Sequence, residues 1–273
     1  MRILSALRKA RKLQRQLYIS PGPNTIWHVD GYDKLKPYGL PIHGCINGFS
    51  RRIVWLKVCK SNNDPVTPAG FFLHAVEENG MRLILVQKDC AMENGILAGK
   101  VAAHRYSLSH ANQRVENWWS HSKRGFTAWV IDFFKALGTE RELSLGNYLQ
   151  VECVWFVFFD FLQLELEKVK HEWKMCHIRQ SRRDTVSGIP DELCYLPHTC
   201  GFEDCGSEVS ADDIDNILNQ RDIYVQAELA KEVDDELLGY FKYVMREEGL
   251  THPPEDWRQA KDMYEKIMQL AES

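Results

Sequence analysis

Four consecutive apolar residues, Leu83–Val86 (LILV), constrain the fold of this chain more than any other stretch. A short run with no polar member has no solvent face, so it reads as a central strand buried on both sides. Such a strand needs a sheet around it and helices over both faces. The residues upstream supply that sheet. Thr25–Asp30 is rich in strand formers and Gly31 ends the run, which sets Asp30 at the end of a first strand. Ile42–Gly48 and Arg52–Val58 read as two further strands, paired as an antiparallel hairpin by the turn at Phe49–Arg51. A loop at Asn62–Pro68 leads into a helix over Ala69–Asn79, with Phe71, Phe72, Ala75 and Val76 turned inward. Another helix is expected to open at Glu93 or Asn94. The pattern is α/β.

A long amphipathic helix follows over Asn112–Leu137. Val115, Trp118, Trp119, Phe126, Trp129, Val130, Phe133, Phe134 and Leu137 recur at spacings of three, four and seven, which makes one buried stripe. Asn112, Glu116, Ser120 and Lys123 follow the same helical spacing at its edge. Glu116 is thus expected close to the core, where a carboxylate needs a partner. Arg114, Lys123 or Arg124 would neutralise it in an ordinary ion pair; a metal ion is the alternative. Trp118 and Trp119 are read as core residues in preference to platforms for stacked bases. Glu142–His177 reads as a further helix or helix pair covering the sheet.

The charge of the chain is divided. Residues 201–273 hold 19 acids against 7 bases, whereas residues 1–200 hold 27 bases against 19 acids. The first part suits a polyanionic partner and the last does not. This sets three expected regions: a basic N-terminal helix over 1–20, a core over 21–200, and an acidic, largely helical extension over 201–273 with helices near Ala227–Arg246 and Trp257–Leu270. PGPN at Pro21–Asn24 is expected to act as a hinge between the first two. The extension is a candidate surface for a protein partner. The basic N-terminus lacks the apolar run and cleavage site of a secretory signal, and Val151–Leu164 is interrupted by Glu152 and Asp160. Eight cysteines with no C-x-x-C pair then fit a reducing compartment, nuclear or cytoplasmic, with no membrane partner. Cys194, His198, Cys200 and Cys205 do not follow a standard zinc-ligand spacing.

Two aspartates stand at predicted strand ends, Asp30 and Asp89. Carboxylates there would repel unless a cation lay between them, although each could also cap a turn or helix. Mg²⁺ takes oxygen ligands, and two ions about 3.5–4 Å apart activate a water or 3′ hydroxyl and stabilise the leaving oxygen of a phosphodiester. Glu116 would be the third carboxylate, with Glu93 as its competitor. Lys123, Arg114, Arg182 and Arg183 are the candidate contacts to a nucleic-acid backbone.

The segments WHVDGYDKL, IHGCINGFSRRIVWLKV, QKDCAMENG and NQRVENWW, in that order, resemble the integrase core domain of the DDE integrase and transposase superfamily, in its transposon-derived members. The resemblance runs from about Tyr18 to about Leu196. It implies an RNase H-like fold, a mixed five-stranded sheet with helices on both faces, here followed by a helical C-terminal tail. It further implies metal-dependent cleavage and transfer of DNA strands with Mg²⁺ or Mn²⁺, and homo-oligomers acting on paired DNA ends. Carried over by position, Asp30, Asp89 and Glu116 are the metal-binding catalytic triad. The chain departs from the pattern at three points. Only 26 residues separate Asp89 from Glu116, Ala91 and Met92 stand where relatives commonly carry glycine and threonine, and Asn47 stands where many carry aspartate. These departures keep a second reading open, that of a decayed or domesticated copy that binds DNA or protein without catalysis.

Overall fold

Alternation along two strands shows how the sheet is covered. Trp27 and Val29 of β1 (Ile26–Tyr32) pack with Cys45, Val54 and Trp55 against one helix, while Tyr32 joins Ile42, Ile46, Leu56 and Val58 in a larger cluster on the other side. The computed structural model describes residues 20–62, 64, 66–79, 81–82, 85–89, 103–107, 112–141, 146–180, 186–208 and 232–271; the side chains of 81–82, 85–89, 103–107, 140–141 and 207–208 lie outside that description. The expected N-terminal helix and the helix opening at Glu93 or Asn94 lie outside the described residues.

After β1 come β2 (Ile42–Asn47), β3 (Ile53–Val58), helix α1 (Val66–Asn79), β4 (Met81–Arg82), β5 (Leu85–Asp89) and β6 (Ala103–Ser107). Helix α2 (Gln113–Ser122) continues through a π-helical turn at Lys123–Thr127 into α3 (Ala128–Arg141). The segment expected to be a helix or helix pair is one long helix, α4 (Tyr148–Met175). Then follow α5 (Pro190–Tyr195), β7 (Ser207–Glu208), α6 (Asp235–Glu248) and α7 (Trp257–Ala271). β1, β2 and β3 form an antiparallel set, and β5 and β6 extend it in parallel, giving the strand order β3-β2-β1-β5-β6. β1 runs two residues further than expected: Gly31 and Tyr32 pair with His43 and Ile42, so Asp30 lies within the strand. β6 falls inside the shortened interval between Asp89 and Glu116, and pairs with β5 along its full length.

Helix α1 covers the Trp27 face, with Phe71, Phe72, Ala75 and Val76 buried as expected. Helices α2, α3 and α4 cover the other. Gln163 of α4 treats the outer edge of β3 as a strand would: its Oε1 accepts from the Val58 N–H at 2.9 Å and its Nε2 donates to the Leu56 carbonyl at 3.0 Å. Helices α6 and α7 of the acidic extension are built into the same core. Phe241 and Val244 of α6 and Met263, Tyr264 and Ile267 of α7 are buried with Phe156 and Phe158 of α4.

The PGPN tract is packed. A Cβ on Gly22 would overlap the Glu203 carbonyl, the Cys205 N–H donates to the Pro23 carbonyl, and Asn24 Nδ2 donates to both oxygens of Asp204 at 3.1 and 3.2 Å. Asn24 Oδ1 meanwhile accepts from Trp27 Nε1 and Asn47 Nδ2. Asn47 also accepts from the Phe49 and Ser50 N–H groups, which assigns it to the β2–β3 turn. Residues 203–205 are therefore strapped across the start of β1 by backbone and side-chain bonds, where a hinge had been expected.

A buried ion pair makes a second tie. Lys60 Nζ lies 2.8 Å from both oxygens of Glu152, whose side chain is 6% exposed, and also donates to the Glu232 carbonyl. Lys60→Met should leave Glu152 buried without its cation and cost about 3 kcal/mol. Urea denaturation of the full chain measures this, with a lowered midpoint at unchanged slope.

Candidate metal site at the carboxyl ends of the central strands

His28, Asp30 and Tyr32 share one face of β1, and the α2–α3 helix is fastened along that face at all three. At the near end, Asn112 Nδ2 donates to the Val29 carbonyl at 3.0 Å, which leaves Asn112 Oδ1 to accept from His28 Nδ1 at 2.9 Å. His28 is therefore the Nδ1–H tautomer. In the middle, Trp119 Nε1 donates to Asp30 Oδ2 at 3.1 Å. At the far end, Tyr32 Oη donates to Thr127 Oγ1 at 3.5 Å. The apolar stripe packs between these points, with Val115, Trp118 and Trp119 all buried.

The β1–β5 ladder pairs Ile26 with Leu85, Trp27 with Val86 and His28 with Gln87. The next carbonyl, that of Val29, is taken by Asn112. Asp30 and Asp89 each stand two residues beyond the last paired residues, His28 and Gln87. Parallel strands that part at their carboxyl ends make the crevice in which open α/β sheets bind ligands. Glu116 stands one turn into α2, the helix that Asn112 pins to β1. It is exposed, not tucked against the stripe as expected, because Val115, Trp118 and Trp119 take the sheet-facing positions and turn residue 116 outward. Asp30 is half-buried.

The other candidate residues distribute as follows. Lys123 is exposed at the start of the π turn and Arg114 is half-buried in the first turn of α2. Arg182, Arg183 and Glu93 lie outside the described residues. Among the described residues, no three His, Cys, Asp or Glu side chains are grouped as a metal site, and the Asp89 side chain is not one of them. The zinc alternative is disfavoured by burial as well as spacing. Cys194 is buried and its thiol is pushed up to about 11, chiefly by that burial, while Cys200 is exposed. No helix among the described residues is long and apolar enough to cross a membrane.

Asp30 and Glu116 suit a hard divalent cation, which takes oxygen ligands and retains waters. Asn112 and Trp119 escaped the sequence reading as parts of the site. The signal for Asn112 was its place one helical turn before Glu116; the signal for Trp119 was a polar nitrogen on an otherwise apolar stripe.

The fold defines a class: a mixed sheet covered by helices on both faces, with Asp30 inside β1, Asp89 closing its parallel neighbour β5, and Glu116 on a helix packed against β1. The chain belongs to the integrase core domain family, whose family model, described as Integrase core domain, matches residues 17–193. No curated protein matches the chain. Integrase core domains generally use divalent metals and bind DNA.

His28 makes the junction pH-sensitive. It is 0% exposed, and burial lowers its pKa from 6.5 to about 4, against the raising effect of the Asn112 bond and with Arg114 adding to the depression. The unfolded chain takes up this proton near 6.5 and the folded chain only near 4. The stabilisation is thus complete above about 6.5 and drains away as the pH falls through that window, by about 3 kcal/mol. Urea titrations across this range should show that loss in the native chain and a flatter profile in His28→Gln. Asn112→Ala strips a buried donor and a buried acceptor of their partner and should cost about 3 kcal/mol, read as a lower urea midpoint.

Proposed function

We propose that this chain is the catalytic core of a DDE-type integrase or transposase-like protein, cleaving and joining DNA strands with Mg²⁺ or Mn²⁺. The observation that supports the reading is the parallel pairing of β1 with β5, from which Asp30 and Asp89 each follow two residues beyond the last paired residues, with the helix that bears Glu116 packed against β1. The proposal takes 21–200 as the core, an RNase H-like five-stranded sheet, and 201–273 as an acidic extension available to a protein partner. Asp30, Asp89 and Glu116 are the proposed metal ligands. Two divalent ions held by them would supply the Lewis-acid activation of a water or 3′ hydroxyl and the stabilisation of the leaving oxygen.

The protein's own part in the reaction is placement. Asn112 and Trp119 fasten the helix to the strand, so that Asp30 and Glu116 would be offered to the ions from two elements held at one register. Lys123 and Arg114, on the same helix, are the proposed contacts to phosphates flanking the scissile bond, joined by Arg182 and Arg183 from the segment after α4. Copies acting on paired DNA ends would make the working unit a homo-oligomer.

Calorimetry with Mn²⁺ tests the reading. The native chain should bind, Asp30→Asn and Asp89→Asn should abolish binding, and Glu116→Gln should weaken it about tenfold or more. Nicking of supercoiled DNA under Mn²⁺ should follow the same ranking. Metal-independent DNA binding that falls steeply with salt, with no nicking, would instead support the second reading, a non-catalytic DNA-binding descendant, which the shortened interval between Asp89 and Glu116 favours.

A further inference from the structure

We propose that Trp119 is a positioning residue for Asp30: its indole N–H fixes one carboxylate oxygen at the cation site, and Gly44 is the seat that admits the ring. The inference rests on the reading of Asp30 as a metal ligand, and it assigns a role to two residues that carry no charge.

Trp119 lies with its nitrogen-bearing edge toward the sheet. Nε1 is 3.1 Å from Asp30 Oδ2. On the same edge, Cζ2 and Cη2 lie where a Cβ on Gly44 would come within 2.8 and 2.9 Å of them, closer than real Cβ contacts allow. Gly44 is the cross-strand partner of Asp30 in the β1–β2 pair. One indole therefore spans both strands, its N–H over the aspartate and its benzo ring over the glycine opposite. Tyr32 stacks on it at 4.8 Å with the planes 26° apart, and Trp118 meets it edge-on at 4.7 Å. The ring is confined by the sheet below and by aromatic neighbours beside it.

A packing role alone would be served by phenylalanine and would set no direction for a nitrogen. An N–H donor is neutral, so it orients a carboxylate and leaves its negative charge intact. Lysine or arginine in the same place would orient it too, but would compete with a divalent cation for that charge. Partners of this kind, bonded to a ligand and not to the metal, tune affinity through the ligand's orientation.

The test uses the full chain and Mn²⁺ or Mg²⁺ alone. Trp119→Phe keeps a ring on Gly44 and removes the donor; it should fold, melt cooperatively and bind Mn²⁺ about tenfold more weakly by calorimetry. Gly44→Ala retains every polar group but displaces the ring, and should weaken binding to a similar extent. Fluorine NMR of fluorotryptophan-labelled chain separates positioning from support. The signal missing in Trp119→Phe belongs to Trp119, and Mg²⁺ should shift it at the concentration where binding half-saturates while Trp27, on the opposite face, stays unmoved. Wild-type affinity in Trp119→Phe, with binding abolished in Asp30→Asn, would overturn the proposal and leave the Asp30 site standing. Absence of Mn²⁺ binding by the native chain at millimolar metal would overturn the metal reading and the positioning role with it.

Discussion

The site depends on one buried amide. Asn112 is 1% exposed and joins helix α2 to β1 through two bonds, one to the Val29 carbonyl and one to His28. A buried amide so placed cannot shift along the strand without stranding both partners, each at a cost of about 1–3 kcal/mol. Apolar packing between the tryptophans and the sheet is strong but non-directional, and tolerates sliding. The polar junction removes that freedom. It turns a helix lying over a sheet into a helix held at one register, with Glu116 one turn from the point of attachment.

The same division of labour recurs elsewhere in the chain. Hydrophobic contacts assemble the two faces, and a few buried polar bonds decide alignment: Asn24 with Trp27, Asn47 and Asp204 at the start of β1, and Lys60 with Glu152 beneath the extension. Helices α6 and α7 turn their acidic residues outward, with Asp235, Glu236, Glu247 and Glu248 exposed. The inner surface of these two helices, including Phe241, Tyr264 and Ile267, belongs to the same cluster as α4.

What the sequence disclosed and what it hid divide along the range of the interactions. Periodicity carried the hairpin of β2 and β3, helix α1 and most of the long stripe from Val115 to Leu137, because those patterns reflect burial averaged over several residues; Trp129, expected in the stripe, is instead 48% exposed. The extension of β1 through Gly31 was hidden, since glycine normally ends a strand and only the pairing with His43 keeps this one extended. Asp30 and Glu116 were legible as carboxylates in a meaningful order, whereas the exposure of Glu116 was not, because helical spacing alone does not fix how a helix is rotated over its sheet. Asn112, Trp119 and the docking of Asp204 against Asn24 were hidden for a common reason. Each rests on bonds between residues 84, 89 and 180 positions apart, and no local pattern encodes such a pair.

Gln163 bears on how copies of this protein meet. A sheet that ends in an unsatisfied strand is a template, and another chain can lengthen it by adding one more row of hydrogen bonds. At the outer edge of β3, the Leu56 carbonyl and the Val58 N–H are already answered by the amide of a glutamine from the same molecule. Strand-by-strand growth into fibres is blocked there by a single side chain. The edge of β3 is thereby closed to a further strand from within the molecule, at the cost of one glutamine and no extra element.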